Sequence, residues 1–149
     1  MRKFLTGAAL LALAGCSAGA DLPVARAGVD KLHAQFNGAK CPEIRDQAST
    51  EFKDLSSAES WQTMCDQLTA GLGKFVSLAQ TGWNDEVGTN GHIIRLNYDS
   101  VFEKGKAQEQ FLYRIDGNKA VLVGYHVNSD VFTVVPKAPA TPPVAPKPK

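Results

Sequence analysis

The apolar residues of this chain change their spacing once, near Gly73, and that change constrains the fold more than any other feature. Ahead of it they recur every three or four residues, as on one face of a helix. Beyond it they alternate, as on one face of a strand. Leu22, Ala25, Val29, Leu32 and Phe36 make a first helical stripe, with Asp21 and Pro23 suited to its start and Asn37-Gly38 to its stop. His33 lies beside this stripe and is expected at its partly exposed boundary. A second helix is expected to open at Pro42, tolerated in a first turn where its missing N–H had no partner. Ile44, Ala48, Phe52 and Leu55 would form its buried face. Ser56-Ser57-Ala58-Glu59 then reads as a capping box with Ser56 as the cap. The third helix presents Trp61, Cys65, Leu68 and Leu72 on one side, and Gly71 and Gly73 mark its end.

Residues 75–83 form the first expected strand. Ile94, Leu96 and Tyr98 alternate with Arg95, Asn97 and Asp99, and Phe111, Tyr113 and Ile115 alternate with Gln110, Leu112 and Arg114. Val121, Val123, Tyr125 and Val127 repeat the pattern. Asp116-Gly117 is a hairpin signal, since glycine accepts the positive φ of a tight turn, and Lys104-Gly105 marks the preceding hairpin. Helices first and strands after them predict an α+β domain, with the helices on one face of an antiparallel meander.

The N-terminus carries an address. Arg2 and Lys3 precede an apolar run over residues 4–13, and small residues follow, the order of a secretory signal. The run is about half the ~20 residues that would cross a bilayer. Its end, Leu13-Ala14-Gly15-Cys16, resembles the lipobox of bacterial lipoproteins. That resemblance implies cleavage before Cys16 and diacylglycerol on its sulfur, with a further acyl chain such as palmitate on the new N-terminus. One acyl chain holds only marginally, whereas several anchor stably. Residues 1–15 are then the signal, 16–20 a lipidated tether, 21–135 the domain and 136–149 a tail. The protein is expected in the cell envelope facing the periplasm. By the enterobacterial sorting rule Ser17 favours the outer membrane over the inner.

With Cys16 committed to lipid, Cys41 and Cys65 remain. An even pair in an oxidising compartment is most simply a disulfide. A redox role would want a Cys-x-x-Cys or an activating base close by, and the sequence has neither. The full chain has 16 basic and 15 acidic side chains. Without signal and tail the body has 11 against 15, a mildly acidic balance with no footprint for nucleic acid. Residues 16–135 number 120, enough for one domain with one core. In the tail Pro136, Pro139, Pro142, Pro143, Pro146 and Pro148 alternate with Ala, Val and Lys. This composition favours extended polyproline II and cannot build a core. It reads as a solubilising tail, or as a basic arm for peptidoglycan, anionic lipid or a partner's aromatic groove.

Gly91, Leu96, Tyr98 and Phe102, then Glu109 and Phe111, then Asp116-Gly117 and Leu122-Val123-Gly124-Tyr125, make a pattern with a family likeness. It resembles small bacterial domains of unknown function grouped with the nuclear-transport-factor-2-like and cystatin-like folds. The resemblance implies a curved sheet wrapped on helices as a cone able to enclose a pocket. It implies no particular chemistry, since such folds host enzymes, binders and inert scaffolds.

Convergent chemistry is sparse. His33, His92 and His126 have no metal-ligand spacing, no phosphate loop follows Gly71 and Gly73, and no serine sits in a nucleophile elbow. No metal, cofactor or catalytic residue is assigned. Trp83, Tyr98, Glu109 and Tyr125 are the candidate pocket. Asp99 is out of phase with its apolar neighbours and is expected to face water. Glu109 is in phase with Phe111, which allows it to point inward, although an edge-strand charge that deters aggregation is the commoner explanation of such a residue. The expected role is a lipid-anchored binding or interaction module, held to the membrane through Cys16 and meeting an envelope protein or peptidoglycan. The competing expectation is a small-molecule binder, hydrolase or isomerase using the cone, with Glu109 or Asp99 as base beside Tyr98 or Tyr125.

Overall fold

The computed structural model describes residues 19–132. Residues 1–18 and 133–149, which hold the signal, Cys16 and the proline-rich tail, lie outside the described residues. Four helices precede four strands: α1 (Leu22–Asn37), α2 (Cys41–Gln47), α3 (Thr50–Leu55), α4 (Ala58–Leu72), β1 (Phe75–Gly88), β2 (Gly91–Phe102), β3 (Gly105–Asp116) and β4 (Lys119–Asn128). A short 3-10 turn, Asp130–Phe132, follows. The strands form one antiparallel meander in the order β1-β2-β3-β4. α1 lies across all four, and α4 packs on β3 and α2. The fold is α+β, as the change of apolar period predicts.

Alternation decides which strand residues reach the core. Ile94, Leu96, Tyr98, Phe111 and Tyr113 are buried on the helix-facing side, where they meet Val29, Leu68 and Leu72. Asp99 is exposed, as its phase requires. β1 is longer than residues 75–83 and carries two irregularities in its pairing with β2. Its first residue is held by an amide side chain: Asn37 Nδ2 donates to Phe75 O at 2.9 Å, and Phe75 N–H donates to Asn37 Oδ1 at 2.8 Å. Asn37 thus offers Phe75 what a neighbouring strand would, and closes part of an open sheet edge.

Four local expectations are corrected. The second helix is two helices, because Ser49 interrupts it and its hydroxyl accepts the Phe52 N–H at 3.1 Å. The restart turns Leu55 outward, to 87% exposure, while Phe52 stays buried. The cap of α4 is Ser57 rather than Ser56. Ser57 Oγ accepts from Ser60 N–H at 3.1 Å, while Ser56 closes α3 by donating its backbone N–H to Phe52 O. In β4 the inward residue is Leu122, not Val121 or Val123. The β3–β4 register slips between Leu112 and Tyr113, so one extra residue on β4 reverses the phase before Tyr125 and Val127. His33 is buried rather than at a wet boundary, for a reason that lies on β3.

Cys41 and Cys65 are joined by a disulfide. It ties the first residue of α2 to the buried face of α4. Trp61, one turn before Cys65, donates its Nε1–H to Cys41 O at 2.7 Å and reinforces the same junction.

Candidate functional site

Glu109 lies on the inward face of β3, opposite Tyr98 on β2 and Val127 on β4. It is 2% exposed, a placement that a carboxylate tolerates only with full hydrogen bonding. His33 arrives from α1 with Nε2 at 2.9 Å from Oε2, and the Tyr125 hydroxyl donates to Oε1 at 2.6 Å. The imidazole stacks on Phe75 with ring centres 3.7 Å apart and meets Phe111 edge-on. His33 Nδ1 is buried without a hydrogen-bond partner.

Burial alone would raise the pKa of Glu109. The hydrogen bond and charge of His33, with the hydroxyls of Ser100 and Tyr125, outweigh it and leave the pKa below the ordinary glutamate value. Ser100 Oγ acts through proximity, outside hydrogen-bond geometry. Burial and the adjacent Glu109 charge push Tyr125 well above the usual phenol range, so its hydroxyl remains a donor. A general base works best with a pKa near the working pH, and Glu109 is shifted the other way. Beside the trio lies a cavity of about 10 Å³, lined by His33, Trp61, Leu68, Phe102, Glu109 and Tyr125 among others. That is room for about one water. The trio binds helix to sheet across this small space.

The four candidate residues therefore separate. Glu109 and Tyr125 are bonded, and Tyr98 pairs across from Glu109 with its ring edge-on to Phe111 at 5.9 Å. Trp83 stands apart, at the end of the sheet where α1 begins. Its ring lies against Gly19, where an added Cβ would meet Trp83 Cη2 at 2.9 Å. A second polar group surrounds this contact. Asp85 Oδ2 accepts the Gly19 N–H at 2.8 Å, and Asp85 Oδ1 lies 2.6 Å from His92 Nε2. His92 Nδ1 in turn lies 3.3 Å from Asp21 Oδ2. Asp21 makes no side-chain cap for α1; it joins this bridge instead. The Gly19 N–H and His92 together hold Asp85 below the usual aspartate range, against the opposing effect of burial.

His33, Asp21, Asp85 and His92 are not among the candidate residues that the sequence marks. The signal for His33 was present: it is four residues beyond Val29 and three before Phe36, within reach of the apolar stripe. Among the described residues no group of three or more His, Cys, Asp or Glu side chains is placed to hold a metal ion. Outward-facing space is larger than the interior, with an open groove of about 780 Å³ between α1 and the β3–β4 hairpin, past Lys31, Gln35, Asn118 and Lys119.

Gly19 has φ +81°, a conformation that costs an L-residue roughly 1–3 kcal/mol. Gly19→Ala is expected to combine that strain with the clash against Trp83 and to loosen the start of α1. Amide exchange at Leu22, whose N–H bonds Gly19 O at 3.1 Å, should accelerate while the core amides stay slow. Unchanged exchange at Leu22 would show that the contact does not hold the segment.

Comparison with protein-family models and with curated proteins finds no match to this chain.

Proposed function

We propose that this chain is a lipid-anchored protein of the bacterial cell envelope, facing the periplasm, whose folded body works by binding a protein partner rather than by catalysis. The observation that carries this reading is the filled interior. The inward carboxylate is already bonded to His33 and Tyr125, and the space beside it is about 10 Å³. Small-molecule sites are typically several hundred Å³, so recognition by this body falls to its surface. The Cys41–Cys65 disulfide supports an oxidising, extracytoplasmic location. Among the described residues no helix is long and apolar enough to cross a membrane, which accords with attachment through lipid on Cys16. A helix laid across a four-strand meander supports the likeness to nuclear-transport-factor-2-like and cystatin-like domains. Ser17 favours the outer membrane.

Two measurements test the reading. Labelled palmitate should enter the protein in cells, and Cys16→Ala should abolish the label and release the body from the membrane fraction. Label that persists undiminished in Cys16→Ala would refute the anchor. Crosslinking of the native protein in its envelope should then recover a protein partner. Recovery of phospholipid and peptidoglycan alone would count against a protein-binding role.

A further inference from the structure

The attachment point and the body are linked by very little chain. Cys16 is three residues from Gly19, and three Cα–Cα steps span at most about 11 Å. Gly19 is fastened to the sheet: its N–H is held by Asp85, the Trp83 ring covers it, and Asp21 two residues on reaches His92. These contacts gather at one end of the molecule. β1 ends there and β2 begins, with Gly88 paired to Gly91. The β3–β4 turn, where Asp116 pairs with Lys119, lies at the same end, because His92 pairs with Ile115.

Two large apolar residues are exposed there, Trp83 at 44% and Val87 at 79%. They share a face of β1, since their partners Leu96 and His92 are four residues apart on one side of β2. Exposed tryptophan beside a membrane anchor has a preferred environment: an apolar ring body with a polar N–H suits the bilayer–water interface. Of the charges at this end, Asp21 and Asp85 lie on His92 and Arg114 on Glu51, while Glu86 and Asp116 are exposed.

We propose that this end of the sheet docks on the lipid bilayer, with Trp83 and Val87 in the interface, so that the body is held at two points and in one orientation. The proposal rests on acylation of Cys16 as read above. The 11 Å limit keeps the hairpin end close to the membrane surface, and the exposed pair adds apolar contact area where the tether already brings it. The contact is interfacial rather than electrostatic, because the neighbouring carboxylates would not draw anionic headgroups. The orientation has a consequence for the far end. The described chain finishes at Phe132, which with Val131 packs near Gly71. That is the pole of the β2–β3 turn, at the other end of the 12-residue strand β2. A strand of that length spans about 40 Å. The described chain therefore ends at the pole that faces away from the bilayer.

The test uses the full-length acylated protein in vesicles of phosphatidylcholine, with or without bromine near the headgroup end of the acyl chains. Bromine is expected to quench the indole emission of the wild type. Trp83→Phe, which keeps a ring against Gly19, is expected to abolish that quenching, because the remaining indole, Trp61, is 4% exposed in the core. Val87→Asp should weaken the quenching without touching the indole. If bromine quenches the wild type no more than Trp83→Phe while mass measurement confirms lipid on Cys16, the docking is overturned and the anchor stands. Quenching left intact by Val87→Asp would overturn the two-residue contact. Absence of lipid on Cys16 would overturn the anchor, and the docking with it.

Discussion

Glu109→Ala is expected to destabilise the fold by roughly 2–6 kcal/mol, because it leaves two buried polar groups without a partner at about 1–3 kcal/mol each. The carboxylate is 2% exposed and takes hydrogen bonds from two sides, so its loss strands the His33 Nε2 and the Tyr125 hydroxyl in an apolar surrounding. For a domain whose whole stability is about 5–15 kcal/mol, this is a large fraction. Replacing both partners, as His33→Leu with Glu109→Leu, is expected to recover much of the loss, because no polar group of the pair then remains unpaired. Urea unfolding of the three proteins measures both effects as shifts in midpoint. A cost for Glu109→Ala below about 1 kcal/mol would show that the network contributes little.

The same group predicts a pH dependence with a definite sign. In the fold Glu109 has a pKa below the ordinary value of 4.5, because His33, Ser100 and Tyr125 outweigh the effect of burial. Its contribution is therefore complete above that ordinary value and is lost as pH falls through the lower, folded one. The stability gap between wild type and Glu109→Gln should close as pH falls below 4.5 and through the lower, folded value. A gap that widens with acid would contradict the ionised assignment.

Opening the disulfide is the second large perturbation. Cys41 and Cys65 are 24 positions apart, and the chain-entropy model assigns such a loop roughly 3–4 kcal/mol. Cys41→Ala with Cys65→Ala is expected to lower stability by that amount. The bond from Trp61 Nε1–H to Cys41 O does not depend on the sulfurs and still joins the two helices. Wild type treated with reductant should unfold at the urea midpoint of the double variant, while oxidised wild type unfolds later. Material isolated without reductant that weighs two hydrogens more than the bridged form would show that the thiols are free.

Element type was readable along the chain because it is a local property. A stripe at steps of three and four is a helix wherever its partner lies, and the alternation beyond Gly73 is a strand face whichever strand comes next. The phase of Phe111 allowed Glu109 to point inward, but the commoner reading, a charge on an edge strand, is overturned by its burial at 2% exposure. The same logic failed where one residue altered the count. Ser49 had the chemistry of a cap, yet the helical stripe runs through it, and the extra residue near Val123 reverses every later side chain of β4 without changing its composition.

Partnership was not local. His33 and Glu109 are 76 positions apart, Gly19 and Asp85 are 66, and no period or motif relates either pair. The sequence determined the class of fold and the pairing of Cys41 with Cys65. Only the tertiary structure decided that the carboxylate would be bonded into a filled core, and that Trp83 would lie with Gly19 at the sheet end instead of with Tyr125. The reason is physical: backbone geometry repeats over a few residues and imprints its period on the chain. A side-chain contact depends on where the whole meander brings distant strands relative to α1.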